Sequence, residues 1–311
     1  MRRITDWTGI DEDDRGAVAA IGNFDGVHRG HRAVIRIAAS EAERRKRPLG
    51  VVTFEPHPRE VFAPDAPPFR LTNATARAHR LGDLGVERVY ELPFGPRLMA
   101  LSPEAFAREV LVDGLGLVHA VVGMDFRFGK DRAGDAAGLA RLGEAMGFGV
   151  TVVPLIRQGD EDISSTRIRE ALTDGRPDEA QRLLGHLHRI EGEVLHGDKR
   201  GRDLGYPTAN LSIDGLHPPR HGVYAVKVEV LTGPHAGPRD GVASLGVRPM
   251  FGENRPNLEV HVFDFDGDLY GETLSVGLVA FLRPEERFDS VDALVRQMQA
   301  DSARARDALA G

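Results

Sequence analysis

The stretch "AIGNFDGVHRGHRAVI", Ala20–Ile35, decides how the first half of the chain is read. It closes an apolar run, turns through Gly22 and Gly26, and opens an amphipathic segment with His28 and His31 three residues apart. Residues at that spacing share one face of a helix, one turn apart. A strand that ends in a glycine-bearing turn and passes straight into a helix is the joint of a βαβ unit. Two satisfied histidines at a helix start would account for the pair structurally. Zinc is a weaker account, because a closed site needs four ligands and the chain has no cysteine. The third account is an anion site: a helix N-terminus offers free N–H groups and partial positive charge, and imidazoles add donors.

Outward from this joint the same rhythm repeats. "AVAAIGNF", "LGVVTF", "VERVYELP", "HAVVGMDF" and "GVTVVPLI" read as strands, separated by "HRAVIRIAASEAERRKR", "NATARAHRLGDLG", "SPEAFAREVLVDGLG" and "AAGLARLGEAMG". Ser102 before Pro103 is an N-cap with proline at the first helical position. Near-continuous apolar strands alternating with helices predict a parallel sheet covered on both faces, an α/β half of Rossmann-like type, with ligands at the carboxyl ends of its strands. After about Leu184 the rhythm changes. "RIEGEVLHG", "GVYAVKVEVL", "GVASLGV", "NLEVHVFDF" and "LYGETLSVGLVAFL" are strand-like with glycine and proline between them, the pattern of a small antiparallel barrel or sandwich. "SVDALVRQMQADSARARDALA" closes the chain as a helix on the outside. The expected division is 1–184 and 185–311.

Composition narrows the function. The chain has 311 residues, 41% apolar, which suffices for two cores. A net charge of −7 gives no global attraction to nucleic acid or anionic lipid. The absence of cysteine excludes disulfides and thiolate chemistry and fits a reducing compartment. No apolar run suits a secretory signal or a membrane span, so a cytoplasmic protein is expected.

Three more loops follow strands of the first half. "TFEPHPREVF" places His57 and Arg59 after the second strand; "VVGMDFRFGKDRAGD" places Asp125, Arg127 and Lys130 after the fourth. "ISSTRIREAL" places Ser164, Ser165, Thr166, Arg167 and Arg169 at a helix N-terminus after the fifth. Polar, glycine-bearing loops at strand carboxyl ends point to a phosphate-handling rim. Gly-x-Phe-Asp-Gly-x-His-x-Gly-His, with the later Ile-Ser-Ser-Thr-x-Ile-Arg, resembles the nucleotidyltransferase module of prokaryotic bifunctional riboflavin kinase/FAD synthetases. The shorter His-x-Gly-His signature is shared with cytidylyltransferases and with pantetheine-phosphate and nicotinamide-mononucleotide adenylyltransferases; "TFEPHP" and "GMDFRFG" make the match more specific. The resemblance implies attack of an FMN phosphate oxygen on the α-phosphate of ATP, with pyrophosphate leaving. It implies that His28 and His31 contact the ATP phosphates and that Gly22, Asn23, Phe24 and Asp25 shape the loop around them. Ser164, Ser165, Thr166 and Arg169 would hold the departing phosphates. Asp125 and Arg127 would serve the flavin or order the site, and His57 either lines the entrance or is an exposed loop histidine.

In the second half, "GEVLHGDKRGRDLGYPTANL" has the glycine spacing of a P-loop, but Asp198-Lys199-Arg200 follows and no helix does, so a P-loop is excluded. Thr208 and Asn210, one residue apart on an extended chain, face the same side, as two oxygen ligands for a hard cation would; alone, Pro-Thr-Ala-Asn is also an ordinary turn. Gly-x-x-x-Gly-Arg-x-Leu-Gly-Tyr-Pro-Thr-Ala-Asn resembles the riboflavin kinase signature, with "GVYAVKV" and "NLEVHVFDFDGDLYG" matching further stretches. This implies a six-stranded, Greek-key-type antiparallel barrel that transfers the γ-phosphoryl of ATP to the riboflavin 5′-hydroxyl. The loop carrying Gly197, Arg202, Gly205 and Pro207 would lie over the nucleotide, Thr208 and Asn210 would hold Mg²⁺ with ATP, and Glu259 would be the base. In "LEVHVF", Leu258, Val260 and Val262 share one face and Glu259 the other, so Glu259 is either that base or a surface glutamate.

"DFDGDLYG" suggests calcium, but its glycine falls too early in the loop and Ser275 stands where glutamate is needed, so Asp266-Gly267 reads as a hairpin turn. One departure from the family is Met250 in "GVRPMFG", where threonine is usual. It leaves open a chain with only the adenylyl activity. A non-catalytic flavin or nucleotide sensor is the other rival, against which the joint presence of His28, His31, Thr208, Asn210 and Glu259 argues. The expected partners are small molecules (ATP, riboflavin and FMN, with FAD as product), with no nucleic acid or membrane and with an oligomeric state that the sequence leaves open.

Overall fold

Val18–Ile21 is a strand buried along its whole length, and so is nearly all of Leu49–Glu55. These are β2 and β3 of the computed structural model, which describes residues 1–154, 157–158, 161–196, 205–250 and 253–311, with the backbone alone for 157–158, 161–162, 248–250 and 253–255. With β1 (Arg2–Ile4), β4 (Arg88–Pro93), β5 (His119–Gly123) and β8 (Gly149–Val153) they form a six-stranded parallel sheet in the order β1-β4-β3-β2-β5-β8. Two short ribbons, β6 (Arg127–Phe128) with β7 (Gly134–Asp135) and β9 (Arg157–Gln158) with β10 (Glu161–Asp162), lie outside it.

Alternation along β2 explains why the sheet needs cover on both sides. Val18 and Ala20 pack with Ile35, Ala38 and Ala42 of helix α1 (Arg29–Arg45). Ala19 and Ile21 pack on the opposite face with Phe106, Val110 and Leu111. Those three lie in the π-helical turn Phe106–Gly114 that continues α5 (Pro103–Ala105). Ser102 caps that helix through Ala105 N–H at 3.1 Å. Each fully buried Val, Leu or Phe contributes about 1.5–3 kcal/mol. Short helices α2 (Pro58–Phe62), α3 (Ala74–Gly82) and α4 (Pro96–Met99), and α6 (Ala136–Met146), complete the connections. Strand order reverses at β2, whose neighbours β3 and β5 run off in opposite directions along the sheet. The carboxyl ends of β2 and β5 therefore flank a topological switch point, where open α/β sheets bind ligands.

By compactness the chain divides into Met1–Ala66 with Arg77–Ile163, and Pro67–Ala76 with Ser164–Gly311. The second unit begins with α7 (Ser165–Thr173) and α8 (Pro177–Leu184). Its sheet has β11 (His188–Glu193), β12 (Ala209–Ser212), β13 (Gly222–Val230), β14 (Gly237–Met250), β15 (Glu253–Val262) and β16 (Thr273–Arg283) in the antiparallel order β11-β16-β13-β14-β15-β12. The first and last strands meet where Leu195 N–H donates to Asn210 O at 2.9 Å, so the sheet curls into a barrel around Leu211, Tyr224, Val226, Leu245, Leu258, Val260 and Val276. Helix α9 (Val291–Ala310) packs outside, where Arg283 donates to the buried Asp301 at 2.8–3.0 Å. The segment Pro67–Ala76 is tied into this unit: Arg70 bridges Leu216 in parallel, His217 N–H donates to Arg70 O at 2.8 Å, and Asn73 Nδ2 to Glu191 O at 2.9 Å.

The fold expected from the sequence is present, with corrections in detail. Strand β1 lacks the length and apolar run of a readable strand. Asp266-Gly267 does not close a hairpin: β15 and β16 are not neighbours in the sheet, and the segment between them crosses from one part of the barrel to another.

Candidate functional site

In the first unit the turn after β2 takes a conformation that side chains disfavour. Phe24 (φ 53°), Gly26 (φ 77°) and Val27 (φ 44°) are all left-handed. For a β-branched residue such as Val27 this is a true outlier, costing about 1–3 kcal/mol, which the surrounding structure must offset. The turn delivers His28 as the N-cap of α1, where its Nδ1 accepts from His31 N–H at 3.3 Å. With Nδ1 accepting, the proton of a neutral His28 ring sits on Nε2. The His28 and His31 rings stack at 3.6 Å with an interplanar angle of 15°. Burial, and then the neighbouring His28, hold the His31 imidazole well below its ordinary value, and its Nδ1 is buried with no hydrogen-bond partner among the described residues. Burial thus favours the neutral form of His31 within the stack. A polyanion bound beside it would favour protonation.

The remaining expected residues of this unit are placed as follows. Gly22 and Asn23 are half-buried and Asp25 is buried. His57 is not an exposed loop residue: it is 8% exposed and caps α2, with Nδ1 accepting from Arg59 N–H at 3.1 Å and its own N–H donating to Glu60 Oε2 at 2.9 Å. Asp125 and Arg127 are exposed just past β5, and Asp125 Oδ1 folds back to within 2.8 Å of where a Cβ of Gly123 would be.

Two features here went unread in the sequence. Phe62, an aromatic residue 64% exposed, packs edge-on to Phe94 at 5.6 Å, and Phe94 to Phe54 at 5.9 Å. This open ring lies past β3, and a phenylalanine at the end of a polar loop is the one signal that marked it. The other is Arg77, fully buried and bonded to Asn23 O at 3.4 Å, Glu55 Oε2 at 2.8 Å and Glu91 Oε1 at 3.2 Å. No local pattern announces it.

In the second unit Ser164 caps α7 by accepting from Arg167 N–H at 3.4 Å, with Ser165 half-buried and Thr166 exposed beside it. Arg169 donates from Nε to Phe69 O at 2.5 Å and lies over the Phe69 ring at 5.3 Å. On the barrel, Asn210 of β12 stands directly opposite Glu259 of β15, which in turn stands opposite Ser244 of β14. These three form one polar rung across three strands, on the face away from the core that Leu258 and Val260 enter. Asn257 Nδ2 donates to Asn210 Oδ1 at 3.2 Å. Thr208 precedes the rung by two residues, and its loop is strapped down by His261 Nδ1–H donating to Pro207 O at 2.9 Å and by Tyr206 packing on the His261 ring at 4.9 Å. Gly205 turns that loop at φ 77°. Gly197 and Arg202 lie outside the described residues, as does the Met250 side chain. Glu285 also went unread: its carboxylate covers Gly246, so closely that a Cβ there would touch it, and His221 stands 4.0 Å away.

Residues 10–167 match the family model described as FAD synthetase, and residues 184–309 the one described as riboflavin kinase. A bifunctional riboflavin kinase/FMN adenylyltransferase of Pseudomonas fluorescens is 45% identical over 307 residues, 98% of this chain and 97% of that protein. The protein of the same name from Escherichia coli K12 is 42% identical over 292 residues, 94% and 92% of the two chains. That of Bacillus subtilis is 37% identical over 301 residues, 95% and 93%. A solved Streptococcus pneumoniae structure, named as a macrolide-efflux protein, matches with TM-score 0.83 at 34% identity over 98% of each chain. Efflux is said of that protein alone; among the described residues here no helix is long and apolar enough to cross a membrane.

Proposed function

Since this chain belongs to the family of bifunctional riboflavin kinase/FMN adenylyltransferases, we propose that its two polar constellations divide the two reactions between them. The enzyme phosphorylates riboflavin to FMN and adenylylates FMN to FAD, using ATP in both steps. In our assignment residues 1–184 carry adenylyl transfer and residues 185–311 the kinase. The observation that carries the assignment is that each family-matched stretch has its own cluster of chemistry-bearing side chains: the His28–His31 stack at the switch point and the Asn210–Glu259–Ser244 rung on the barrel.

For adenylyl transfer, an FMN phosphate oxygen attacks the α-phosphorus of ATP in line, and the bond to the β-phosphate breaks. The protein's task is alignment and charge neutralisation. His28 Nε2–H and the His31 ring face that charge, and Gly22, Asn23, Phe24 and Asp25 form the turn that presents them. Ser164, Ser165, Thr166 and Arg169 are assigned to the departing pyrophosphate. Asp125 and Arg127 order the flavin side of the site, and the open Phe62 ring offers a stacking surface for a planar tricycle. His57 shapes the adjoining loop as a cap.

For the kinase, the riboflavin 5′-hydroxyl attacks the γ-phosphorus, ADP leaves, and Glu259 accepts the hydroxyl proton. Thr208 and Asn210 are neutral oxygen donors of the kind a hard cation takes, and Asn257 orients the Asn210 carboxamide oxygen; this donor set fits Mg²⁺ arriving on the phosphates of ATP. Gly197, Arg202, Gly205 and Pro207 would cover the nucleotide. Mg²⁺ when bound offsets phosphate charge. We place the reaction in the cytoplasm, with small molecules as its partners.

The test is direct: purified chain with riboflavin and Mg²⁺–ATP accumulates FAD through FMN. FAD formed only from added FMN would remove the kinase, and binding without turnover would remove both activities.

A further inference from the structure

The Asn23 carbonyl, at the head of the left-handed turn, is held from beneath by two side chains of the first unit. Thr53 Oγ1 donates to it at 3.1 Å and Arg77 Nη1 at 3.4 Å. The same guanidinium donates from Nη2 to Glu55, the last residue of β3, and to Glu91 of β4. The second oxygen of Glu91 accepts from Arg3, at 3.0 Å from Nε and 2.6 Å from Nη2. Arg77 is 1% exposed and Glu91 4%. Two cations and two carboxylates balance, so no net charge is buried. Most buried ion pairs give little net stability, so a network of this size needs another reason. Its position supplies one: a single side chain ties the end of β3, strand β4 and the turn that orients His28.

We infer that Arg77 is a positioning residue for adenylyl transfer. It fixes the Asn23 carbonyl and so holds Phe24–His28 in the conformation that aims the imidazole pair. The inference rests on the reading that this turn faces ATP. Arg77 Nε has no hydrogen-bond partner among the described residues, and the outer nitrogens serve three acceptors: Asn23 O, Glu55 and Glu91. A lysine ammonium also has three donors. A single lysine nitrogen keeps the charge but cannot stand where both Nη1 and Nη2 stand, so lysine should rescue in part and an apolar side chain of similar length not.

The test uses the full chain with Arg77→Lys, Arg77→Met and the double variant Arg77→Met/Glu55→Gln, measuring FAD formation from FMN, FMN formation from riboflavin, and thermal unfolding. Arg77→Met is expected to raise KM for ATP and lower adenylyltransferase kcat by about 10- to 100-fold, as loss of alignment does. Kinase activity should be unchanged, and the adenylyltransferase activity of Arg77→Lys should lie between those of wild type and Arg77→Met. Adding Glu55→Gln should restore melting temperature but not kcat. If the double variant recovers both, Arg77 merely balances charge and the inference falls. Wild-type kcat and KM in a folded Arg77→Met chain would also overturn it. Failure of the reading beneath it looks different: a wild-type chain that makes no FAD from FMN.

Discussion

Replacing Glu259 by glutamine separates chemistry from architecture. Glu259 is half-buried on the outer face of the barrel, in register between Asn210 and Ser244. Glutamine has the same shape, fills the same place on the rung and keeps one oxygen acceptor, so folding stability should move by no more than about 0.5 kcal/mol. It cannot take the proton of the riboflavin hydroxyl. Loss of a general base lowers kcat by about 10²- to 10⁴-fold. At about 1.36 kcal/mol per tenfold this is roughly 3–5 kcal/mol of transition-state stabilisation. Because the base acts in the transition state and not on bound substrate, kcat and kcat/KM should fall together while KM holds. The assay is FMN formation from riboflavin, with FAD formation from supplied FMN measured on the same preparation. A kinase loss below about tenfold would refute the base assignment, and equal loss of both activities would refute separate sites.

Gly30→Ala should change stability by no more than about 1 kcal/mol, since the helix preference of alanine over glycine is set against a disturbed His28 cap. Its Cβ would nevertheless lie 3.1 Å from the His28 ring, so the ring must shift and KM for ATP in FAD synthesis should rise; unchanged kinetics would count against the His28 role. His188 is held down to about 3 by burial, with His186 and His217 adding to the effect. The unfolded chain therefore binds that proton first, and stability falls as pH drops from about 6.5 towards 3, at up to about 1.4 kcal/mol per pH unit. Urea unfolding at pH 6.5 and 5 should show His188→Gln losing about 2 kcal/mol less than wild type, and parallel losses would contradict the burial. Asp301→Ala removes the buried carboxylate from Arg283, which keeps Glu286 and the Pro284 carbonyl, and should cost up to about 3 kcal/mol by calorimetry, inactivating the kinase at lower temperature; an unshifted melting transition would refute it.

Legibility followed the range of the interactions. The parallel sheet could be read because β2, β3 and β5 are apolar on both faces, and such runs alternate with helices in sequence. The His28–His31 pair could be read because cap and partner are three residues apart, as could Ser164 at the start of α7. The facing of Glu259 away from Leu258 and Val260 follows from strand alternation alone. What the sequence hid depends on distant residues meeting. Arg77 reaches Asn23 across 54 positions, and nothing near Ala76 or Ala78 foretells a buried charge. One of the two readings of His57, an exposed loop histidine, fails because it is buried and caps α2, a contact that residue type alone does not announce. The supposed hairpin at Asp266-Gly267 failed because dipeptide chemistry fixes a turn but not which strands it joins.

The segment Pro67–Ala76 has a consequence for the order in which the protein is made. Its partners Glu191, Leu216 and His217 are translated long after it. On the ribosome the first parallel sheet can be assembled while this segment still waits, its backbone groups held by water. A gene cut in the middle to express the barrel alone would omit it, and the nascent barrel would lack the strand-like clip to which Leu216 and His217 bind.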